Sequence, residues 1–143
     1  MDKDTSVKVA VRIRPLSVEE NVHEPVLCLD TIDEESQIVA GNDTYFTFDY
    51  VFGVETQQER IYHDCVTDLV DAFFEGFNAT ILAYGQTGSG KTWTMGSSSD
   101  MNMSLHTIGI IPRVIKNLFE QVRQKEEADP TSTYKIHVQF LEI

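Results

Sequence analysis

A glycine-rich loop constrains this chain more than any other feature of its sequence. The loop matches the pattern G-x-x-x-x-G-K-[ST] at all eight of its positions, which are Gly85, Gln86, Thr87, Gly88, Ser89, Gly90, Lys91 and Thr92. Glycines let the backbone curl so that successive N–H groups point inward at a phosphate. The pattern belongs between a strand and a helix, so it predicts an α/β fold with a phosphate site at the carboxyl end of a strand.

Two side chains of the loop have predicted roles. The Lys91 ammonium can reach β- and γ-phosphate oxygens and stabilise their charge, and the Thr92 hydroxyl can ligate Mg²⁺. A helix beginning near Lys91 would direct its positive dipole end at the same phosphates. The alternative is a Gly/Ser-rich turn that binds nothing. It is disfavoured because a chance match occurs in about one in a few hundred chains of this length.

Apolar periodicity predicts strands on both sides of the loop. Alternation predicts strands at 7–14, 45–52 and 134–140, with weaker signals at 26–29 and 37–40. A nearly continuous apolar run at 78–84 predicts a strand that is buried on both faces. Residues 96–107 are polar and without periodicity, which is typical of a loop.

Two amphipathic helices are predicted from stripes of apolar residues. The first begins at a capping box formed by Thr56 and Glu59 and ends before Gly76. The second runs from Ile111 to Val122, with Pro112 in its first turn. Core packing explains both stripes.

Length and charge limit the partners that can be expected. The chain has 143 residues, which suggests one domain or part of one, and its net charge is −12. Such an acidic chain is a poor match for nucleic acid or anionic lipid. No apolar run approaches the ~20 residues of a membrane-spanning helix. The two cysteines, Cys28 and Cys65, are too few for a disulfide framework. Acidic residues such as Glu19 and Glu20 are interpreted as solvated charge.

Four segments of the chain occur in the order and spacing of one known family. They are V-K-V-A-V-R-I-R-P-L at 7–16, F-T-F-D-Y-V-F-G at 46–53, N-A-T-I-L-A-Y-G-Q-T-G-S-G-K-T-W-T-M-G at 78–96 and G-I-I-P-R at 109–113. Together they resemble the kinesin motor domain, and the wording is closest to the chromokinesin-like group. The resemblance implies a P-loop NTPase fold of kinesin motor type, with a central, mostly parallel sheet and helices on both faces. Residues 1–143 would be its N-terminal portion, incomplete at the C-terminus.

The resemblance also implies a nucleotide site for ATP or ADP with Mg²⁺. The R-x-R-P segment lies against the adenine in kinesins, which points to Arg12, Arg14 and Pro15. The residue after K-T stacks on the base and is here Trp93, a contact worth about 1–3 kcal/mol. Without the resemblance, Arg12 and Arg14 would be interpreted as a solvated strand face.

The activity implied by the resemblance is that of a microtubule-stimulated ATPase of the cytoplasmic cytoskeleton. Two kinesin motifs that position water and sense the γ-phosphate, S-S-R-S-H and D-x-A-G-x-E, do not occur in the chain. We therefore expect no turnover by this chain alone, and microtubule contact through the remaining half of the motor domain. A non-hydrolysing nucleotide- or partner-binding module is the alternative. A small nucleotide kinase is disfavoured because 84 residues precede the loop.

Overall fold

Five strands and four α-helices form the described part of the chain, residues 7–23, 25–32, 35–41, 43–96 and 106–141 of the computed structural model. The strands are β1 (Ala10–Arg12), β2 (Leu29–Ile32), β3 (Gln37–Ala40), β4 (Thr44–Thr47) and β5 (Tyr50–Phe52). The helices are α1 (Gln58–Cys65), α2 (Thr67–Phe74), α3 (Lys91–Met95) and α4 (Ile110–Ala128). A 3₁₀ helix, Glu20–His23, follows β1. This mixture confirms the predicted α/β class.

The strands divide into a parallel pair and an antiparallel meander. β1 pairs with β5 in parallel register, with Val11 opposite Val51. β3 lies between β2 and β4 and pairs with both in antiparallel register. The chain turns after β3 at Gly41, whose φ of +64° suits a residue without a Cβ.

The core lies where the parallel pair meets the helices. Its buried members share aliphatic or aromatic side chains from one strand and three helical segments, and they are Phe52, Ile61, Val66, Val70 and Ile110. Burying one such side chain contributes roughly 1.5–3 kcal/mol. The core therefore fixes α1, α2 and the start of α4 against β5.

The single strand predicted at 45–52 is wrong, because the structure has two strands there in two different sheets. The chain leaves the meander at Phe48, whose amide still donates to the Ser36 carbonyl. The Asp49 carboxylate then accepts a 2.7 Å hydrogen bond from the Val9 amide. That contact anchors the start of β5 beside β1, so the aromatic alternation continues while the partner strand changes.

The predicted first helix is divided, and its predicted cap is wrong. Val66 separates α1 from α2 with φ −120° and ψ −32°. The N-cap of α1 is Gln57 rather than Thr56, and its side chain makes no capping bond. The predicted end is confirmed, since the Gly76 amide donates to the Phe73 carbonyl and the Phe77 amide to the Ala72 carbonyl, a Schellman arrangement.

Two predicted strands are not formed by the described residues, while the second helix is confirmed. Residues 78–84 and 134–140, here named the exposed apolar segments, have no strand assignment. Leu82 is 87% exposed and Phe140 91% exposed. A strand needs a neighbour for its N–H and C=O groups, and the described residues supply none to either segment. Most of the predicted loop at 96–107 lies outside the described residues.

None of the helices that the described residues form combines the length and apolarity needed to cross a bilayer.

Candidate functional site

The glycine-rich loop adopts backbone angles that its glycines make possible. Gly90 is the N-cap of α3 and has a φ of +95°, in the left-handed region. Gly85 has a φ of +153°, and a Cβ at this position would lie 2.5 Å from the Ser89 Oγ. The loop closes on itself at this point, so a side chain at residue 85 would collide with it.

Backbone donors of the loop are available to an anion. Within the described residues, the amides of Thr87, Gly88 and Gly90 donate to no backbone carbonyl. The Ser89 amide is the exception, because it donates to the Gln86 carbonyl over 3.2 Å. A concave run of unpaired N–H groups is the arrangement that binds phosphate oxygens in such loops.

The two side chains predicted to act on phosphate and metal lie together at the start of α3. The Lys91 Nζ donates 2.8 Å hydrogen bonds to the carbonyls of Gly85 and Gln86, so the ammonium lies over the loop. Thr92 is exposed beside it. The donor set of unpaired amides, one ammonium and one hydroxyl fits a nucleotide phosphate with Mg²⁺.

Arg14 connects the segment after β1 to the loop. Its Nε donates to the Gly88 carbonyl over 2.8 Å, and its two terminal nitrogens form a bidentate pair with Glu20 at 2.7 Å each. The Glu20 carboxylate also accepts from the Ser17 amide, and the Glu20 amide donates to the Ser17 Oγ. The Arg14 bond is the main reason that the pKa of Glu20 falls to about 2. Glu20 is therefore a structural partner rather than merely solvated charge.

Arg12 lies beneath α3 in a hydrogen-bonded set that we name the Gln58 network. The Arg12 Nη1 donates to the Gln58 Oε1 at 2.8 Å and to the Thr94 Oγ1 at 2.9 Å. The Gln58 Nε2 donates to the Trp93 carbonyl at 2.7 Å and to the Thr107 carbonyl at 3.3 Å. Burial lowers the pKa of the Arg12 guanidinium. The network joins β1, α1, α3 and the segment before α4.

The remaining predicted site residues lie at the surface beside the loop. Trp93 lies on α3 and is 50% exposed. Pro15 is exposed, and its carbonyl accepts a 2.9 Å bond from the Arg14 Nη1. The structure thus brings Arg14 to the loop, with Pro15 next to it in the chain, whereas the Arg12 guanidinium is already engaged by Gln58 and Thr94. Their contact with an adenine stays a prediction.

Two glycines hold the end of α3 against the start of α4. A Cβ on Gly96, whose φ is +75°, would lie 2.6 Å from the Cα of Gly109. A Cβ on Gly109 would lie 2.6 Å from the Thr94 carbonyl oxygen. The two backbones are in direct contact, which only residues without side chains allow.

Sequence reasoning missed Gln58, Ser17 and Glu20. The sequence S-V-E-E at 17–20 carries the capping-box pattern S-x-x-E, and both of its reciprocal hydrogen bonds are present there. That signal could have identified Glu20. Nothing in the sequence distinguishes Gln58 from the neighbouring Gln57, because burial of one and exposure of the other follow from the position of α1.

Comparison with known proteins gives a consistent family result. The family model described as the kinesin motor domain matches residues 12–143. Kinesin-like protein KIF21A from Homo sapiens is 43% identical over 98% of this chain, and kinesin-related protein 8 from Dictyostelium discoideum is 44% identical over 99%. The chromosome-associated kinesin KIF4 from Xenopus laevis is 41% identical over 99%. The chain spans 9%, 8% and 11% of these curated relatives respectively.

A solved structure has the same fold. Drosophila NOD, docked with bovine tubulin into a cryo-EM map of nucleotide-free NOD complexed to the microtubule, superposes with a TM-score of 0.74. The two sequences are 30% identical, and the match covers 86% of this chain and 40% of the NOD chain.

Proposed function

This chain belongs to the kinesin motor-domain family, and we propose that its glycine-rich loop binds ATP or ADP with Mg²⁺ as part of a microtubule-based motor. The loop geometry carries the proposal. The amides of Thr87, Gly88 and Gly90 donate to no backbone carbonyl of the described residues, and the Lys91 ammonium is held at the same loop by the Gly85 and Gln86 carbonyls. These are the donors that a polyphosphate needs.

Each part of the nucleotide has matching groups. The amides of the loop and Lys91 would hold the phosphates, and the Thr92 hydroxyl would ligate Mg²⁺, which neutralises charge that develops during phosphoryl transfer. The half-exposed Trp93 ring would stack on the base, and Arg14, which donates to the Gly88 carbonyl, would lie against the adenine together with Pro15. Arg12 would act from beneath α3 through its existing bonds to Gln58 and Thr94.

Movement along microtubules is proposed for the complete motor domain. The chain matches 40% of the NOD chain, whose published complex is with the microtubule. We propose that the complete motor acts on the cytoplasmic cytoskeleton and that the rest of the domain binds tubulin; the microtubule complex of the similar NOD chain supports this proposal. This chain itself carries neither S-S-R-S-H nor D-x-A-G-x-E among its 143 residues. We therefore expect nucleotide binding without turnover.

Titration of Mg·ATP against tryptophan fluorescence tests nucleotide binding directly. Trp93 is the only tryptophan of the chain, so its emission reports the proposed base contact. We expect a saturable change in emission. Lys91→Ala should raise the dissociation constant for Mg·ATP by at least about tenfold, since one charge-assisted hydrogen bond is worth roughly 1.5–3 kcal/mol. Lys116→Ala is the control, because this lysine is exposed on α4 and pairs with Glu120 at 3.8 Å, away from the loop carbonyls that bind Lys91.

Two results contradict the proposal. If the emission of the folded wild-type chain does not respond to millimolar Mg·ATP, the chain does not bind nucleotide at this site. If Lys91→Ala and Lys116→Ala change the affinity for Mg·ATP equally, Lys91 does not have the phosphate-binding role proposed for it. A phosphate-release assay with microtubules checks turnover, and a rate that depends on Lys91 would show that this chain hydrolyses ATP by itself.

A further inference from the structure

Gln58 is a buried polar residue that the proposed nucleotide chemistry does not use. Its side chain is only 3% exposed, and it lies at the start of α1. A buried amide needs partners for its carbonyl oxygen and its two N–H groups, because each unpaired group costs free energy. Gln58 finds them in Arg12, Trp93 and Thr107. These three hydrogen bonds all connect Gln58 to α3 or to segments beside it.

The helix that carries Lys91 and Trp93 needs outside support. α3 has only five residues, and helices this short do not persist on their own in water. Its last carbonyls have no partner within the helix. The Gln58 Nε2 donates to one of these, the Trp93 carbonyl, at 2.7 Å. Gln58 therefore supplies from another helix a hydrogen bond that α3 cannot make internally.

A second bond in the same place fixes the rotation of α3. The Arg12 Nη1 bridges the Gln58 Oε1 and the Thr94 Oγ1, so the backbone at Trp93 and the side chain at Thr94 are both held. Two attachments on consecutive residues restrain the rotation of a helix as well as its position. The rotation of α3 in turn determines the directions in which the Trp93 and Lys91 side chains leave the helix.

We propose that Gln58 is a positioning residue of the nucleotide site, which orients α3 and thereby sets the placement of Trp93 and Lys91. This inference rests on the proposed nucleotide binding. It adds that a side chain on α1, whose hydrogen bonds go to Arg12, Trp93 and Thr107, controls the affinity of the glycine-rich loop.

Gln58→Glu separates the two halves of the network. A carboxylate still accepts from Arg12, but it cannot donate to the Trp93 carbonyl and repels it instead. We expect acrylamide quenching of Trp93 to rise about twofold without nucleotide, and the dissociation constant for Mg·ADP to rise about tenfold, the scale of one buried hydrogen bond. Gln57→Glu is the matched control one residue earlier, where the side chain is exposed. It should leave both values within about twofold of wild type.

A loss of general stability must give a different pattern. Val66→Ala removes buried core methyl groups, since Val66 is 1% exposed, without changing any bond of the Gln58 network. Under conditions where circular dichroism shows each variant folded, Val66→Ala should leave Trp93 quenching unchanged. Equal quenching in Gln58→Glu and Gln57→Glu, or an equal rise in Val66→Ala, overturns the inference.

A second pair of variants serves if Gln58→Glu does not fold. Thr94→Val removes the hydroxyl that Arg12 binds, while Thr94→Ser keeps it. We expect increased Trp93 quenching in the first and wild-type quenching in the second; identical quenching in the two variants contradicts a network that orients α3. The quenching readout needs no nucleotide. A chain that fails to bind Mg·ADP but shows this pattern disproves the proposed function, while the orientation of α3 by the Gln58 network still stands.

Discussion

The exposed apolar segment at 78–84 directly precedes the glycine-rich loop, and the Gln58 network holds the helix at the other end of that loop. The two regions are nevertheless built in opposite ways. In the network a few polar groups are buried and each has partners, as Gln58 shows with three. In the segment, large side chains such as Leu82 and Tyr84 are exposed. The contrast indicates that the glycine-rich loop is held mainly from the side of α3, where bonds from β1 and α1 converge.

Hydrogen exchange should give the largest contrast between paired and unpaired backbone. β3 is paired on both sides, whereas residues 79–84 have no strand partner among the described residues. We expect the Ile38 and Val39 amides to exchange at least about a hundredfold more slowly, relative to their intrinsic rates, than the amides at 79–84. Exchange measured residue by residue with NMR tests this. Similar protection in the two regions would show that residues 79–84 are paired in solution.

Truncation of one side chain in each region should give the next largest contrast. Ile61 is 4% exposed in the core and Leu82 is 87% exposed. Ile61→Ala should lower the free energy of unfolding by about 2–5 kcal/mol, through lost burial and a cavity. Leu82→Ala should change it by less than about 0.5 kcal/mol. Urea denaturation of both variants measures this difference, and comparable losses would mean that Leu82 is buried in solution.

The smallest effect is expected at the outer edge of the bonded region, in the Arg14–Glu20 pair. Arg14→Gln should raise the pKa of Glu20 from about 2 toward its ordinary 4.5, although the Ser17 bonds keep part of the lowering. Because folding lowers this pKa, the pair stabilises the fold above pH 4.5, and the contribution is lost as the pH falls toward 2. Carboxyl ¹³C chemical shifts give the titration midpoint. An unchanged midpoint in the variant would assign the lowering to Ser17 instead.

The sequence predicted those parts of the molecule in which a local pattern carries the information. The glycine-rich loop, α4 and the Gly76 end of α2 depend on residues close together in the chain, and all three are present. The division between β4 and β5 depends on the Asp49 contact with Val9, which is 40 residues away. Alternation alone cannot show such a change of partner.

Two errors at the site have a common physical cause. The pattern of a capping box occurs at Thr56–Glu59 and at Ser17–Glu20, and only the second forms. The Thr56 carbonyl instead accepts from the Arg12 Nη2 at 3.4 Å, beside the buried Gln58. Tertiary contacts therefore determine which of the two capping-box patterns forms its hydrogen bonds. They also explain why the Arg12 side chain bonds to Gln58 and Thr94, where alternation alone would suggest a solvated strand face.

The contact between Gly96 and Gly109 has a consequence for how the chain can vary in length. The 12 residues between them form a closed loop, because the backbones of Gly96 and Gly109 at its two ends touch. Doubling the length of a closed loop costs only about 0.6 kcal/mol in closure entropy. Insertions between these glycines should therefore be inexpensive and leave α3 and α4 in register. A single methyl group at either glycine would force the two helices apart.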